Sequence, residues 1–420
     1  AAVRPVRRRE IRRREPCFPG RDIRCRVAAG RANGLAPQGV EPLGDIIVVV
    51  FQRGGMDGIS AVIPHGDSHY YENRSALAIP EPEDGSDKTG IDLDGFFGLH
   101  PSLRPLKDLW DEKTLAIVHA VGSPDPTHSH FDAMDYMERG TPGEKSIPTG
   151  WIGRHLQTAP WQNESPFRAI GMGGVMQAAL RGPIPVTTLK SISDFHLQGD
   201  ISQLTEIRAR LESLYNLGSS LDSDAVETFN AVNILDKIDV NNYTPSGSAA
   251  YPETEFGMAM KQVAQIAKAE IGLEVACVDI GGWDTHNQQG QLEGELPTLL
   301  DEFSSGLASL YHDLGDRAKN VTIVTMSEFG RRVKENASDG TDHGHGNCMF
   351  VLGGGVNGGR VYGQWPGLAP DKLFDGIDLD ITTDYRDVLG EVVEKRLKNP
   401  ALTEIFPTYA DWKNLGVVRE

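Results

Sequence analysis

The chain has 420 residues, 39% hydrophobic and 24% charged, with a formal net charge of −18. That length is ample for a large buried core, and at roughly 150 residues per domain it allows two or three domains or one large α/β enzyme domain. The negative charge argues against nucleic-acid binding through phosphate contacts, and no apolar stretch approaches the roughly 18 residues a membrane span needs, so neither partner is expected.

The first 40 residues differ from the rest. Arg4, Arg7, Arg8, Arg9, Arg12, Arg13 and Arg14 cluster there without a lysine. No apolar segment follows them, so Arg7-Arg8-Arg9 does not make an export signal. Residues 1–40 are expected to be a flexible basic arm or the remnant of such a signal. Asp45 to Gln52 (DIIVVVFQ) is a short, continuously apolar, β-branched run and predicts a buried parallel strand, ended by the glycine-rich turn at 53–58. Residues 61–95, rich in Pro, Asp and Gly, read as a long loop. Pro101 to Trp110 is helical in pattern, Leu115 to Val121 is a second strand, and a helix begins near Ser129. Helical spacing recurs over 201–217, 223–238 and 256–270, with a surface loop at 244–252. Leu273 to Ile280 and Val321 to Met326 are further strands, separated by a helix over 299–314. Cys348 to Leu352 is another strand, followed by a turn at 357–360. Alternation of strands and helices predicts an α/β fold with a mainly parallel sheet.

The four cysteines form no CxxC and no zinc-ribbon spacing. Cys277 and Cys348 lie in apolar runs as core residues, whereas Cys17 and Cys25 in the basic arm could pair in an oxidising compartment.

In open α/β sheets, ligands bind beyond the carboxyl ends of the strands. Asp57 follows the first strand and Ser129 the second. Asp284 and His286 follow the third, Glu328 follows the fourth, and Asp342, His343 and His345 lie in the next loop. One such residue means little, but their recurrence points to a divalent-metal site of carboxylates and imidazoles. Gly281-Gly282-Trp283-Asp284-Thr285-His286 offers a carboxylate and an imidazole to one ion, or else a loop Asp capping a helix beside a surface His. Asp342-His343-Gly344-His345 lets the backbone approach a ligand and offers several donors, or else is a turn with solvated histidines. Asp57 in its glycine turn lacks the partners of a phosphate-cradling or dinucleotide loop. Ser129 stands at a helix N-terminus, either as a metal-activated nucleophile or as a plain N-cap paired with Asp132. His130 beside it could be a general acid, a ligand or a packing residue. Arg331 could pair with substrate oxyanions, or form a salt bridge with Glu328.

Seven segments together carry a resemblance: FQRGGMDG (51–58), GLHPSL (98–103), SHFDAMDYMERG (129–140), TGWIGR (149–154), GGWDTH (281–286), SEFGRR (327–332) and TDHGHGN (341–347). Over about residues 45–415 the chain resembles the domain-of-unknown-function 1501 family, and through it the alkaline phosphatase superfamily, which includes sulfatases and cofactor-independent phosphoglycerate mutases. The resemblance implies a three-layer α/β/α sandwich over residues 41–420 as a single domain, with a helical insertion at about 190–250. It also implies a hydrolase of small anionic phosphate or sulfate esters, using Ser129 or a metal-activated water. His130 and Arg331 would join Ser129 in catalysis. The metal ligands would be drawn from Asp57, Asp284, His286, Glu328, Asp342, His343 and His345. Phe329 stands where a ligand His is expected, and either His343 or His345 would be the final ligand. No CxPxR sulfatase signature is present, so formylglycine chemistry is not expected. Imidazole and carboxylate without thiolate suit one or two divalent ions, Zn or Mn ahead of Mg or Ca. The same resemblance implies export to the periplasm or the cell exterior. The competing expectation is a non-catalytic secreted binding or scaffold protein that keeps the fold and a partial metal site. A third is a one-metal esterase.

Overall fold

A computed structural model describes residues 45–83, 85–160, 163–194, 234–235 and 242–420. The basic arm, Cys17 and Cys25 lie outside the described residues, as do most of the expected insertion and nearly all of its helical stretches at 201–217 and 223–238.

Nine strands form the main sheet. They are β1 (Ile46–Gln52), β2 (Leu115–Gly122), β3 (Ala169–Met172), β4 (Thr187–Leu189), β5 (Val275–Ile280), β6 (Val321–Met326), β7 (Asn347–Gly353), β8 (Arg360–Tyr362) and β9 (Thr383–Asp384). The spatial order is β8-β2-β7-β6-β1-β5-β3-β4, with β9 also paired to β2. β7 runs antiparallel to both β2 and β6, and every other pairing is parallel. The sheet is therefore mostly parallel, as the apolar runs predict. A small sheet of Val62–Ile63, Gly98–Leu99 and Ile91–Asp92 organises part of the segment expected to be loop.

β1 shows why the sheet is buried on both faces. Val48 and Val50 point into one apolar cluster with Phe256, Met260, Leu300 and Phe303. Ile47, Val49 and Phe51 point into another with Met137, Trp151, Val388 and Val392. A period-2 alternation with both faces apolar requires a helical layer on each side. Helices α6 (Glu255–Lys268) and α7 (Glu295–Leu314) supply the first layer. The second comes from α4 (His130–Arg139), α5 (Trp151–Thr158) and α8 (Tyr385–Lys395). Shorter helices α1 (Gly58–Ala61), α2 (Ser68–Asn73) and α3 (Lys107–Asp111) precede them, and α9 (Leu402–Ile405) follows. Cys277 and Cys348 are buried free thiols. No helix among the described residues is long and apolar enough to cross a membrane.

This topology gathers the site. β5, β1 and β6 are adjacent and parallel, so the turns at 281–286, 53–57 and 327–332 emerge side by side at one sheet edge. β2 points the same way and delivers the loop before α4. Because β7 is antiparallel, the loop that precedes it, 341–346, is the one that reaches this edge.

Candidate metal centre

Three imidazoles and one carboxylate converge at that edge. His343 Nε2 and His286 Nε2 each lie 3.0 Å from Asp284 Oδ1, and 2.9 Å from each other. His130 Nε2 lies 3.3 Å from the same carboxylate oxygen. Donor atoms around a tetrahedral ion at about 2.0–2.1 Å stand about 3.3–3.4 Å apart, so these separations are close to the edges of such a polyhedron. Donor atoms of His130, Asp284 and His343 all fall within 4.8 Å of one another, a group that does not take in His286, which meets it through Asp284 and His343.

The far side of each ring is fixed. His130 Nδ1 contacts Glu328 Oε1 at 2.7 Å, His286 Nδ1 contacts Asp342 Oδ1 at 3.1 Å, and His343 Nδ1 contacts the His128 carbonyl at 2.9 Å. Carbonyl and carboxylate oxygens only accept, so each Nδ1 carries a proton, and a ring that is neutral presents its Nε2 lone pair to the centre. Three lone pairs and a carboxylate oxygen repel one another unless a positive charge lies among them. His130 Nε2 is buried without a hydrogen-bond partner, as expected of a ligand atom facing an ion. The residues present therefore fit a divalent cation, with outer carboxylates of the kind that orient metal-binding imidazoles.

Electrostatics follow the same plan. The hydrogen bond from His130 to Glu328 raises the ring's pKa above its ordinary 6.5, against burial. Burial lowers that of His343. Burial alone would raise the Asp284 carboxyl, but the Arg331 guanidinium, donating to Oδ1 at 2.7 Å, leads the groups that hold it at about 2. Asp284 thus stays ionised, and its half-exposed side chain opens the centre to solvent.

The backbone explains the close convergence. Gly54 and Gly55 take positive φ, and a Cβ on Gly54 would sit 2.6 Å from Asp284 N. Gly54 N–H donates to Glu328 Oε1 at 2.8 Å, tying the β1 turn to the β6 turn. Phe329, where the family resemblance placed a ligand, is a packing residue. Its ring centroid lies 4.9 Å from that of His130 and 4.8 Å from that of His343, forming an apolar wall behind both.

Several expected site residues stand elsewhere. Asp57 is fully buried, and its carboxylate is committed to partners outside the cluster. It forms an ion pair with Arg74, which also donates to Asp57 Oδ1 at 3.0 Å, and Gln289 donates to its Oδ2 at 2.7 Å. Burial would raise the Asp57 carboxyl, but Arg74 holds it below the ordinary carboxylate value. Arg331 is buried too, and is spent on the carbonyls of Gly54, Gly55, Trp283 and Thr341 and on Asp284 Oδ1 at 2.7 Å. It braces the turns and cannot face a substrate. Glu328 and Asp342 orient rings from behind. His345 stacks on Phe374 with centroids 4.2 Å apart, and burial lowers its pKa to about 4. Ser129 is the exposed N-cap residue of α4, but its side chain makes no capping bond, and Asp132 pairs with Lys145. The capping alternative is therefore not realised. Arg74 and Gln289 carried no signal in the sequence, since both lie far from Asp57 along the chain.

The family model described as "Protein of unknown function (DUF1501)" matches residues 45–399, and the chain belongs to that family. No curated protein matches it. Similar solved structures include the C-terminal periplasmic domain of EcEptC from Escherichia coli in complex with Zn, at 11% identity and TM-score 0.34, covering 77% of this chain and 75% of that one. The PsFucS1 sulfatase from Pseudoalteromonas sp. gives 10% identity and TM-score 0.36, covering 90% and 74%. A protein in the alkaline phosphatase superfamily from Vibrio parahaemolyticus gives 8% identity and TM-score 0.32, covering 74% and 61%. None of these likenesses decides the role of a residue in this chain.

Proposed function

We propose that this protein is a metal-dependent hydrolase of phosphate or sulfate esters, with one divalent ion held by His130, Asp284, His286 and His343. The supporting observation is the meeting of three Nε2 atoms on Asp284 Oδ1, each ring locked from behind by an acceptor. Mixed imidazole and carboxylate donors suit Zn or Mn. When bound, such an ion supplies Lewis-acid polarisation of an ester oxygen and stabilises developing negative charge.

The chain's own groups supply the rest. Ser129 adjoins the ligand His130, at the N-terminus of a ten-residue helix whose free N–H groups favour an anion. Its exposed side chain makes no capping bond, which leaves it available as the nucleophile. Glu328 and Asp342 hold the rings of His130 and His286 in one tautomer. Arg331 keeps Asp284 ionised and the β1 and β6 turns together. The family resemblance adds export, which fractionation of cells producing the full chain tests.

Elemental analysis of protein purified without chelator, on wild type and Asp284→Ala in parallel, is the first test. About one transition metal per wild-type chain, lost in the variant, supports the centre. No metal after reconstitution with Zn and Mn refutes it. On the loaded protein, Ser129→Ala should abolish ester hydrolysis while metal content is kept. One observation favours the non-catalytic alternative: Asp57 and Arg331, expected at the reaction centre, are committed to structural partners. A metal-loaded wild type inert toward a panel of phosphate and sulfate esters would select that reading.

A further inference from the structure

Two of the turns that carry the centre are joined by one buried amide. Gln289 is fully buried, and its Oε1 accepts from Thr285 Oγ1 at 2.9 Å and from Thr341 Oγ1 at 2.7 Å. Its Nε2 donates to Asp57 Oδ2 at 2.7 Å. A carboxylate only accepts, so Asp57 fixes the amide with its nitrogen toward the acid and its oxygen toward the two hydroxyls. The main chain pins the residue as well. Gln289 N–H donates to the Asp339 carbonyl at 2.8 Å, and the Gln289 carbonyl accepts from Leu296 N–H at 3.0 Å, in the first turn of α7.

Both threonines lie inside the ligand series. Thr285 stands between Asp284 and His286, and Thr341 precedes Asp342 and His343. Thr285 is 1% exposed and Thr341 0%, whereas the side chains of Asp284, His286 and Asp342 are 48%, 35% and 44% exposed. The threonines are thus the inward anchors of turns whose neighbouring side chains build the centre. Two further links join these turns. Thr341 N–H donates to the Thr285 carbonyl at 3.1 Å, and the half-buried Asn336 donates from Nδ2 to the His286 carbonyl at 2.9 Å and to Asp342 Oδ1 at 3.2 Å. Gln289 is the link on the buried side, where a fully paired polar network holds one arrangement.

We propose that Gln289 is a positioning residue of the metal centre: its amide oxygen, aimed by Asp57, locks the turn bearing Asp284 and His286 to the turn bearing His343 at the spacing one ion needs. This rests on the metal-centre reading above. It also gives Asp57 a part in the centre at one remove, through the amide rather than on the ion. Ligands held in place before an ion arrives bind it more tightly than ligands the ion must order.

The hydroxyls are the point of attack, because valine removes each one at nearly constant shape. Zn affinity is measured by chelator competition, and the melting temperature on the same samples without metal. The variants are Thr285→Val, Thr341→Val, the two together, Thr285→Ser and Thr341→Ser. Each valine variant should bind Zn about tenfold more weakly, and each serine variant, which keeps the hydroxyl, should stay within about twofold of wild type. The two threonines share one acceptor, so the double variant should lose about as much as either valine variant alone, well short of the roughly hundredfold loss of independent sites. Valine variants with wild-type Zn affinity, whatever their melting temperature, overturn the proposal and leave the hydroxyls a folding role alone. Serine variants as weak as the valine ones, or additive losses in the double variant, overturn it too. If the valine variants do not fold, Gln289→Asn takes their place: the shorter amide cannot reach both hydroxyls, so weakened Zn binding supports the lock and wild-type binding removes it. A wild type that takes up no Zn refutes the centre and this role with it, whereas a Zn-loaded wild type with indifferent valine variants refutes the role alone.

Discussion

Glu328→Gln is the most direct probe of how the centre is built. Glu328 is 1% exposed, and its Oε1 accepts from both His130 Nδ1 at 2.7 Å and Gly54 N–H at 2.8 Å. An amide of the same shape keeps an acceptor at Oε1. Its new NH2 faces Ser327 Oγ, an atom able to accept. The variant should therefore fold. What it loses is a buried negative charge behind a metal-binding ring, a change that lowers metal affinity about 10- to 100-fold, or about 1.4–2.7 kcal/mol. Asp342→Asn makes the same change behind His286, but that carboxylate is 44% exposed and its contact is longer, at 3.1 Å. Water screens it, so its effect should be the smaller. The assay is competition for Zn with a chromophoric chelator at pH 8, where protonation of the rings does not compete. Equal affinity in Glu328→Gln and wild type, or a larger loss in Asp342→Asn, would refute the reasoning.

Asp57→Ala should destabilise the fold by about 3–5 kcal/mol, because it leaves Arg74 buried and unpaired, while metal stoichiometry in the folded fraction stays that of wild type. Denaturant melts with elemental analysis check this, and metal loss at unchanged stability would return Asp57 to the ligand set. Acid should weaken the fold through His119, whose Nε2–H donates to the Val62 carbonyl while Nδ1 accepts from Ala120 N–H. Burial lowers its pKa from 6.5 to about 4. The unfolded chain therefore binds the proton first, and up to about 3 kcal/mol, complete above pH 6.5, is lost as pH falls to about 4. His119→Gln should make the melting temperature fall less steeply over that window, with buried His100 and His345, also lowered to about 4, keeping their own share, and a profile parallel to wild type would exclude His119 as a contributor. Gly344→Ala should disrupt the centre from the backbone, since a Cβ there would collide with the main chain of Arg331 and Arg332. Wild-type metal affinity and stability in that variant would show the bridge to be slack.

The apolar runs were legible because a strand buried on both faces leaves no room for polar residues. β1 and β6 are found where 45–52 and 321–326 predict them. The short strands β3 and β4, AIGM and TTL, carry no such run and were not foreseen. The helix over 385–395 has Val388, Leu389, Val392 and Val393 at helical spacing, a pattern legible in the sequence. The direction of β7 is a long-range property with no local trace. At the site, the recurrence of Asp, His and Glu after successive strands pointed to the right edge of the sheet. The division of labour did not show, because it is set by distant partners: Arg74 captures Asp57, four carbonyls capture Arg331, and Phe374 captures His345.

That division argues for one ion rather than two. A second ion needs its own carboxylates, and those the resemblance offered beside Asp284 already have other partners. Asp57 belongs to Arg74 and Gln289, Glu328 to His130 and Gly54, and Asp342 to His286 and Asn336. Among the described residues, a single group of three or more potential ligands has donor atoms close enough to share an ion. Phe329 completes the reasoning. An imidazole in its place would add a donor, whereas a phenyl ring fills the space behind His130 and His343 and keeps water from their inner edges. Gly55 fits that choice, because a Cβ there would lie 2.6 Å from the Phe329 ring. The β1 turn and the β6 turn are therefore shaped to each other around an apolar wall, and the charge of the centre is concentrated on the four donors in front of it.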